Sequence, residues 1–267
     1  MPELHFISYG GGAPKYYQCL NNLCMSVDKT KIFNTIRGYT DKSLRDDHEC
    51  PGFWSNHGEF IAKCEANKER GFGYWLWKPY LTKKRLSEIA EGDILVYMDA
   101  GCIFNPDGIP RLFQYVDMVN NHPTGTLGFL HNKEWTLDRP EGLLEEEFTK
   151  RDMFDWFYPD GDYEFARNRT QMIGGIFMIR KCPTSVSLVD KWYNACQNYD
   201  ILRDEPNIGP KLPKFREHRH DQSAWSIIRH DAGSILIDNE VYFGGKWQSQ
   251  EALKYPFWAF QMPHKIR

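Results

Sequence analysis

Asp99 ends a nearly continuous apolar run, Ile94-Leu95-Val96-Tyr97-Met98, and is followed at once by Ala100 and Gly101. A carboxylate that leaves a buried strand beside a glycine can hold a hard divalent cation against a diphosphate, because the glycine lets a ligand come close to the backbone. An aspartate that bonds the amides of its own turn accounts for the triplet about as well. Lys78 stands amid aromatics in Tyr74-Trp75-Leu76-Trp77-Lys78-Pro79, where a routine solvent lysine is out of place unless it snorkels out of apolar packing. Asp221, in His220-Asp221-Gln222, opens a helix after a basic loop and reads first as a helix cap. Gly10-Gly11-Gly12 follows the first apolar stretch, and Gly174-Gly175 interrupts a later one. Each pair of readings is close backbone approach to a ligand or simple packing.

These residues need a scaffold, and the pattern supplies one. Residues 4–9 predict a strand that runs into the glycine turn and then a helix from 15 to about 28. A second strand over 31–36 delivers Arg37 to its carboxyl end, and helices are expected over 58–68 and through Ile89, the latter with Pro79 in its first turn. The run 94–98 predicts a strand covered on both faces. Beyond it the pattern predicts a helix over 108–121, a strand over 126–130, and an acidic-aromatic segment over 143–163 that is helical and then looped. A strand over 171–179, a helix over 185–199, a loop over 201–218, a helix over 221–228 and a strand over 235–237 follow. Strands alternating with helices predict an α/β fold: a single domain over residues 1–267 with a mostly parallel central sheet flanked by helices. Ligands of such sheets bind beyond the carboxyl ends of the strands, which gathers Tyr9, Arg37 and Asp99 toward one rim.

Composition narrows the chemistry. The 267 residues are 41% hydrophobic and 26% charged with a formal net charge of −3, enough for a large core and against a basic nucleic-acid footprint. Aromatics reach 15%, a level at which some rings are expected to stack on sugars or bases. The seven cysteines show no CxxC pair and no zinc spacing, so reduced thiols, a cytoplasmic setting and no structural zinc are expected. The first residues lack a basic, apolar leader, and no segment approaches the ~20 apolar residues of a membrane span. No Gly-Lys-Ser/Thr follows the first glycines, and Gly71-Phe72-Gly73 lacks a preceding strand and a third glycine, which weakens kinase and dehydrogenase readings.

The block over residues 71–102, Gly-Phe-Gly-Tyr-Trp-Leu-Trp-Lys-Pro followed by a helix and Gly-Asp-Ile-Leu-Val-Tyr-Met-Asp-Ala-Gly-Cys, resembles GT-A-fold glycosyltransferases. The likeness is to the bacterial and large-DNA-virus group with a Trp-Lys-Pro helix before a Tyr-x-Asp-Ala-Gly strand, and more finely to chlorella-virus glycan-building enzymes such as a xylosyltransferase. The resemblance implies transfer of a sugar, xylose in the finer reading, from a UDP-sugar to a hydroxyl of a glycan acceptor. It implies that Asp99 takes the first position of an Asp-x-Asp motif that grips Mn²⁺ or Mg²⁺ and the ribose. Gly101 replaces the second acid, which puts metal dependence in question, and His264 is the candidate for a late metal ligand. The same resemblance places the nucleotide at Tyr9, Gly10, Gly11, Arg37, Ala100 and Gly101, the donor phosphate or sugar at Lys78, and the donor sugar and acceptor near Gly174, Gly175 and Gln222. The resemblance implies that Asp221 is the catalytic carboxylate, which in an inverting enzyme takes the proton of the attacking acceptor hydroxyl, with Asp152 and Asp155, in Arg-Asp-Met-Phe-Asp-Trp, in reserve. Two rival readings are a nucleotidyltransferase acting on a sugar phosphate and a non-catalytic glycan-binding module.

Overall fold

The computed structural model describes residues 2–132, 142–205, 207, 209–244 and 246–259. Its strands are β1 (Leu4–Tyr9), β2 (Thr35–Tyr39), β3 (Ile94–Met98), β4 (Ile103–Phe104), β5 (Thr126–Leu130), β6 (Met172–Arg180), β7 (Ile235–Ile237) and β8 (Phe257–Trp258). Six of them form one sheet in the order β2-β1-β3-β6-β5-β7, and β4 pairs with β8 apart from it. All run one way except β6, which is antiparallel to both β3 and β5. The fold is therefore α/β with a mostly parallel central sheet flanked by helices, as the alternation of elements predicts.

Side chains alternate across a strand, so each central strand feeds two cores. Ile7, Tyr9, Leu95, Tyr97, Phe177 and Ile179 face one side, with helices Trp77–Glu88, Pro183–Gln197 and His220–Asp231 packed over them. Leu4, Phe6, Ile94, Val96, Met98 and Met178 face the other, under helices Pro14–Lys29 and Ile109–Asn121. All five residues of β3 are fully buried, as expected of a run covered on both faces. Asp99 shares the parity of Leu95 and Tyr97, and the period of two aims it toward the Trp77–Glu88 side.

Several boundaries differ from the sequence pattern. β2 is Thr35–Tyr39 rather than 31–36, because Asn34 is spent on β1: its N–H donates to the Leu4 carbonyl and its side-chain oxygen accepts from the Leu4 N–H, at 2.7 and 3.0 Å. Arg37 therefore lies inside an edge strand, exposed, rather than at the strand's carboxyl end. The helix expected over 58–68 runs Phe53–Ala66, the 143–163 segment holds two short helices, Glu145–Phe148 and Arg151–Phe157, and a third, Glu164–Arg167, follows it. Ahead of the Trp77–Glu88 helix, residues 71–75 all have φ between +50° and +80°, a left-handed turn. Phe72, Tyr74 and Trp75 pay about 1–2 kcal/mol each for that conformation, so packing must hold them there. Trp77 does so in part, its indole N–H donating to the Gly71 carbonyl at 3.0 Å.

Candidate functional site

The chain runs from β1 to β2 on one side and then to β3 on the other, so the sheet has a switch point between β1 and β3. The carboxyl ends of two such strands diverge and leave a crevice where α/β sheets take ligands. Gly10 and Ala100 meet there: a Cβ on Gly10 would lie 3.2 Å from the Ala100 Cβ and 2.4 Å from the Tyr16 carbonyl oxygen. Any other residue at Gly10 would wedge β1 from the Pro14–Lys29 helix.

Asp99 stands at this rim with its side chain 41% exposed, while Lys78 and Asp221 behind it are each only 4% exposed. The Tyr97 hydroxyl donates to Asp99 Oδ1 at 2.5 Å. Lys78 reaches the same oxygen at 3.2 Å, Asp221 Oδ2 at 3.5 Å, and the Gly174 carbonyl at 3.2 Å. The ammonium donates a hydrogen bond to the Gly174 carbonyl and forms ion pairs with the two carboxylates. Lys78 is thus an internal cation holding two carboxylates and a carbonyl together, and its charge reaches a ligand through Asp99. The approach to Asp221 misses hydrogen-bond geometry and leaves Oδ2 buried without a hydrogen-bond partner.

Burial sets the protonation of this group. Removal from water drives the Asp221 carboxyl up to about 7; Lys78 opposes the rise and Asp99 adds to it. Burial alone would lower the Lys78 ammonium, but Asp221 and Asp99 together hold it above its ordinary value. The Tyr97 hydroxyl is pushed well up by burial and then by Asp99, so it stays protonated and donates. Because Asp221 has a folded value above its unfolded one, the folded protein keeps a proton that the unfolded chain releases. That contribution to stability is full below about pH 4 and is lost as pH rises through about 7. Asp221→Asn is expected to flatten part of this fall in melting temperature between those limits. Glu145, raised to about 7 by burial, keeps a parallel slope. An unchanged pH profile in the variant would show that Asp221 is ionised throughout.

The paired glycines of β6 have a specific use. A Cβ on Gly175 would lie 2.6 Å from Asp99 Oδ2, and one on Gly174 would lie 2.7 Å from the Gln222 Cβ. The register between β5 and β6 shifts here: Gly128 pairs with Phe177 but Leu130 with Met172, so β6 carries extra residues between them. Such a bulge re-aims side chains beside a site. The β3 edge stays paired, with the Asp99 N–H donating to the Gly175 carbonyl at 2.8 Å. Gln222 closes the other side, its Oε1 accepting from the Gly174 N–H at 3.0 Å.

The structure therefore brings Lys78, Asp99, Asp221, Gly174, Gly175 and Gln222 together, with Gly10 and Ala100 along the same rim. Tyr9 is close but only 7% exposed, and one face of its ring is stacked on Trp77 at 3.8 Å between centroids. Gly10 gives its N–H to the Tyr39 carbonyl at 3.0 Å, so that amide is not offered to a ligand. Gly11 sits against Asp41 and the Tyr9 hydroxyl, where a Cβ would approach within 2.6 and 2.7 Å. Gly101 is exposed. Asp152 and Asp155 lie apart, the former 3.3 Å from Lys150 and the latter 3.3 Å from Arg151. His264 falls outside the described residues.

The fit to a divalent cation is poor among the described residues. Asp99 Oδ1 is occupied by Tyr97 and Lys78, position 101 carries no carboxylate, and an ammonium already stands 3.2 Å from Asp99. A hard cation needs six or more oxygens, and this rim offers one free carboxylate oxygen. The described group with converging ligand atoms is Glu3, His5 and Asp93, at the opposite, amino end of β1 and β3. Asp93 there accepts from the Glu3 and Ala90 amides and from His5, which ties the strand ends. A cavity of about 370 Å³ lies elsewhere, between Lys83, Leu86, Val186 and Asp190.

Sequence reasoning missed Tyr97, although its spacing of two from Asp99 puts both on one strand face. It missed Trp192, whose indole N–H donates to the Asp221 carbonyl at 2.8 Å, and also Gln171, which accepts from Gln222 at 2.8 Å. It passed over His220, which carries φ of +52° beside Asp221 and is held between Tyr74 and Trp75. Nothing local marks those three.

No family model matches the chain, and no curated protein matches it. Among solved structures it is similar to a glycosyltransferase involved in the glycosylation of the major capsid of PBCV-1. That likeness has 8% identity and a TM-score of 0.47, and it covers 96% of this chain and 91% of the other. It is also similar to mouse xyloside xylosyltransferase 1 in its apo form, at 11% identity and a TM-score of 0.43, covering 93% and 90%. At those values neither similarity decides a function, and the side-chain geometry has to. No helix among the described residues is long and apolar enough to cross a membrane.

Proposed function

We propose that the chain is a glycosyltransferase that moves a sugar from a nucleotide diphosphate donor, UDP-linked and with xylose as the leading sugar, to a hydroxyl of a glycan acceptor. The observation that carries this reading is the Lys78 ammonium between Asp99 and Asp221 at the switch-point rim, one carboxylate open to a ligand and the other buried near neutrality. Asp99 is an acceptor-only group and suits the hydroxyls of a ribose or a donor sugar. Asp221 is poised to take the proton of the attacking hydroxyl, since a carboxyl near 7 is half ionised at neutral pH and still basic enough to act. The departing diphosphate gathers negative charge, and the amino end of the Pro14–Lys29 helix, which follows Gly10–Gly12, carries the positive end of a dipole along the same rim. No step is assigned to a metal ion.

The test is to incubate the protein with UDP- and GDP-sugars, with and without Mn²⁺, and read both melting temperature and nucleotide release on adding glycan hydroxyls. Stabilisation by UDP-xylose and acceptor-dependent release of UDP is the expected result. Release of pyrophosphate would instead identify a nucleotidyltransferase. Binding of glycan with no donor effect would identify a binding module. Either outcome overturns the proposal.

A further inference from the structure

We propose that Glu145 is a positioning residue of this site, acting through a directed chain of amide hydrogen bonds that runs from its carboxylate by way of Gln171 and Gln222 to the backbone of Gly174. The polarity of the chain follows from its ends. The Gly174 N–H can only donate, so the atom facing it is the Gln222 carbonyl oxygen, at 3.0 Å. The Gln222 amide nitrogen is then turned toward the Gln171 carbonyl oxygen, at 2.8 Å. The Gln171 nitrogen in turn faces Glu145 Oε2 at 3.2 Å. Glu145 Oε2 already accepts from Thr149, and it accepts from Gln171 whether the carboxyl is ionised or carries its proton on Oε1, so both ends demand the same orientation of the two glutamines.

Glu145 also works at one remove. The Thr149 hydroxyl donates to Glu145 Oε2 at 2.8 Å, which leaves its oxygen free to accept from Gln171 at 3.3 Å. Gln171 has two weaker acceptors besides, Ser223 Oγ at 3.3 Å and the Phe148 carbonyl at 3.5 Å. Beyond Gly174 the chain continues, since the carbonyl of the same residue receives Lys78, and Lys78 holds Asp99 and Asp221. A buried carboxylate thereby fixes the strand segment on which the candidate catalytic cluster is built.

Its surroundings give Glu145 no simpler occupation. The two acids that follow it are paired, Glu146 with Arg167 and Lys214 and Glu147 with Arg216. Glu145 is 0% exposed, and its Oε1 has no hydrogen-bond partner. Arg169, Arg219 and Arg229 act on it, and burial outweighs them and raises its carboxyl to about 7. Replacing it alone by an apolar group of similar size leaves the Thr149 hydroxyl and the Gln171 amide without this acceptor, which costs stability.

The proposal rests on the reading of the site as one for sugar transfer, and the experiment separates the two. Glu145→Met, Glu145→Gln and the wild type are compared for melting temperature, for kcat and KM of transfer, and for exchange of the Gln171 and Gln222 side-chain amides by NMR. The expected result for Glu145→Met is a melting temperature lower by a few degrees, a kcat lower by about tenfold, and Gln222 amide exchange faster by about tenfold. Glu145→Gln, which keeps an acceptor at Oε2, is expected to restore both toward the wild type. Wild-type kcat and wild-type amide exchange in Glu145→Met overturn the proposal, as does a Glu145→Gln variant no better than Glu145→Met. If the wild type transfers no sugar the functional reading fails, and amide exchange alone then decides whether the chain of amides depends on Glu145.

Discussion

Asp99→Asn is expected to lower sugar transfer by about 10²- to 10³-fold, the loss typical of removing one preorganised polar group from a reacting centre. The side chain is 41% exposed and lies on the rim, where it also pairs with the buried Lys78. Asparagine preserves size and can still accept from Tyr97. Its amide nitrogen then takes the place of Oδ2, the oxygen left for a ligand, so a donor replaces charge there and the acceptor-only character that suits ribose and sugar hydroxyls is lost. The melting temperature without donor should fall by a few degrees, less than for Lys78→Met, since Asp221 still pairs the ammonium and asparagine still accepts from Tyr97. Donor-induced stabilisation should disappear along with UDP release. A variant that binds donor and transfers sugar normally would place the reaction away from β3 altogether, and with it would go the proposed function.

Lys78→Met is expected to destabilise the protein by about 3–5 kcal/mol, because it removes one partner from a buried ionic group and strands the rest. For a chain of this size that corresponds to about 10 °C in melting temperature. Methionine fills the stem's volume, so the cost isolates the charge rather than a cavity. With the cation gone, nothing offsets the desolvation of Asp221, and its carboxyl moves further up and stays neutral through physiological pH. Transfer should be lost with it, because a neutral carboxyl cannot accept a proton. The second half of the expectation is the more discriminating: Lys78→Met with Asp221→Asn should recover most of the stability lost by Lys78→Met alone. The two residues touch, so their effects are coupled. Costs that simply add would mean that Lys78 is held by packing and not by the carboxylates.

Much of the site was legible because strands repeat every two residues. The apolar run over 94–98 announced a strand buried on both faces, and its end announced where Asp99 would emerge. The interruption at Gly174-Gly175 was visible as a conflict with strand formation, and so was the choice between a close ligand and a bulge. The structure answers that choice with a bulge in register and two side chains, Asp99 and Gln222, pressed against the glycines. Asp221 was visible as a helix-opening acid. Its side chain has turned inward to Lys78, which no helix-start pattern encodes. Lys78 looked out of place among aromatics, and it is; the sequence could not say that its partners are acids rather than a phosphate.

What the sequence determined by itself was the order and type of the main elements, the two-sided burial of the central strand and the emergence of a carboxylate at its carboxyl end. These follow from periodicity, glycine and proline, all local properties of the chain. Tertiary structure alone decided the reversal of β6, since a strand covered on both faces reads the same in either direction. It also decided the capture of Lys78 by two acids, the protonation of Asp221 and the chain of amides back to Glu145. Each of those depends on which groups are desolvated together, and desolvation is a property of the packed whole that no neighbour in sequence carries.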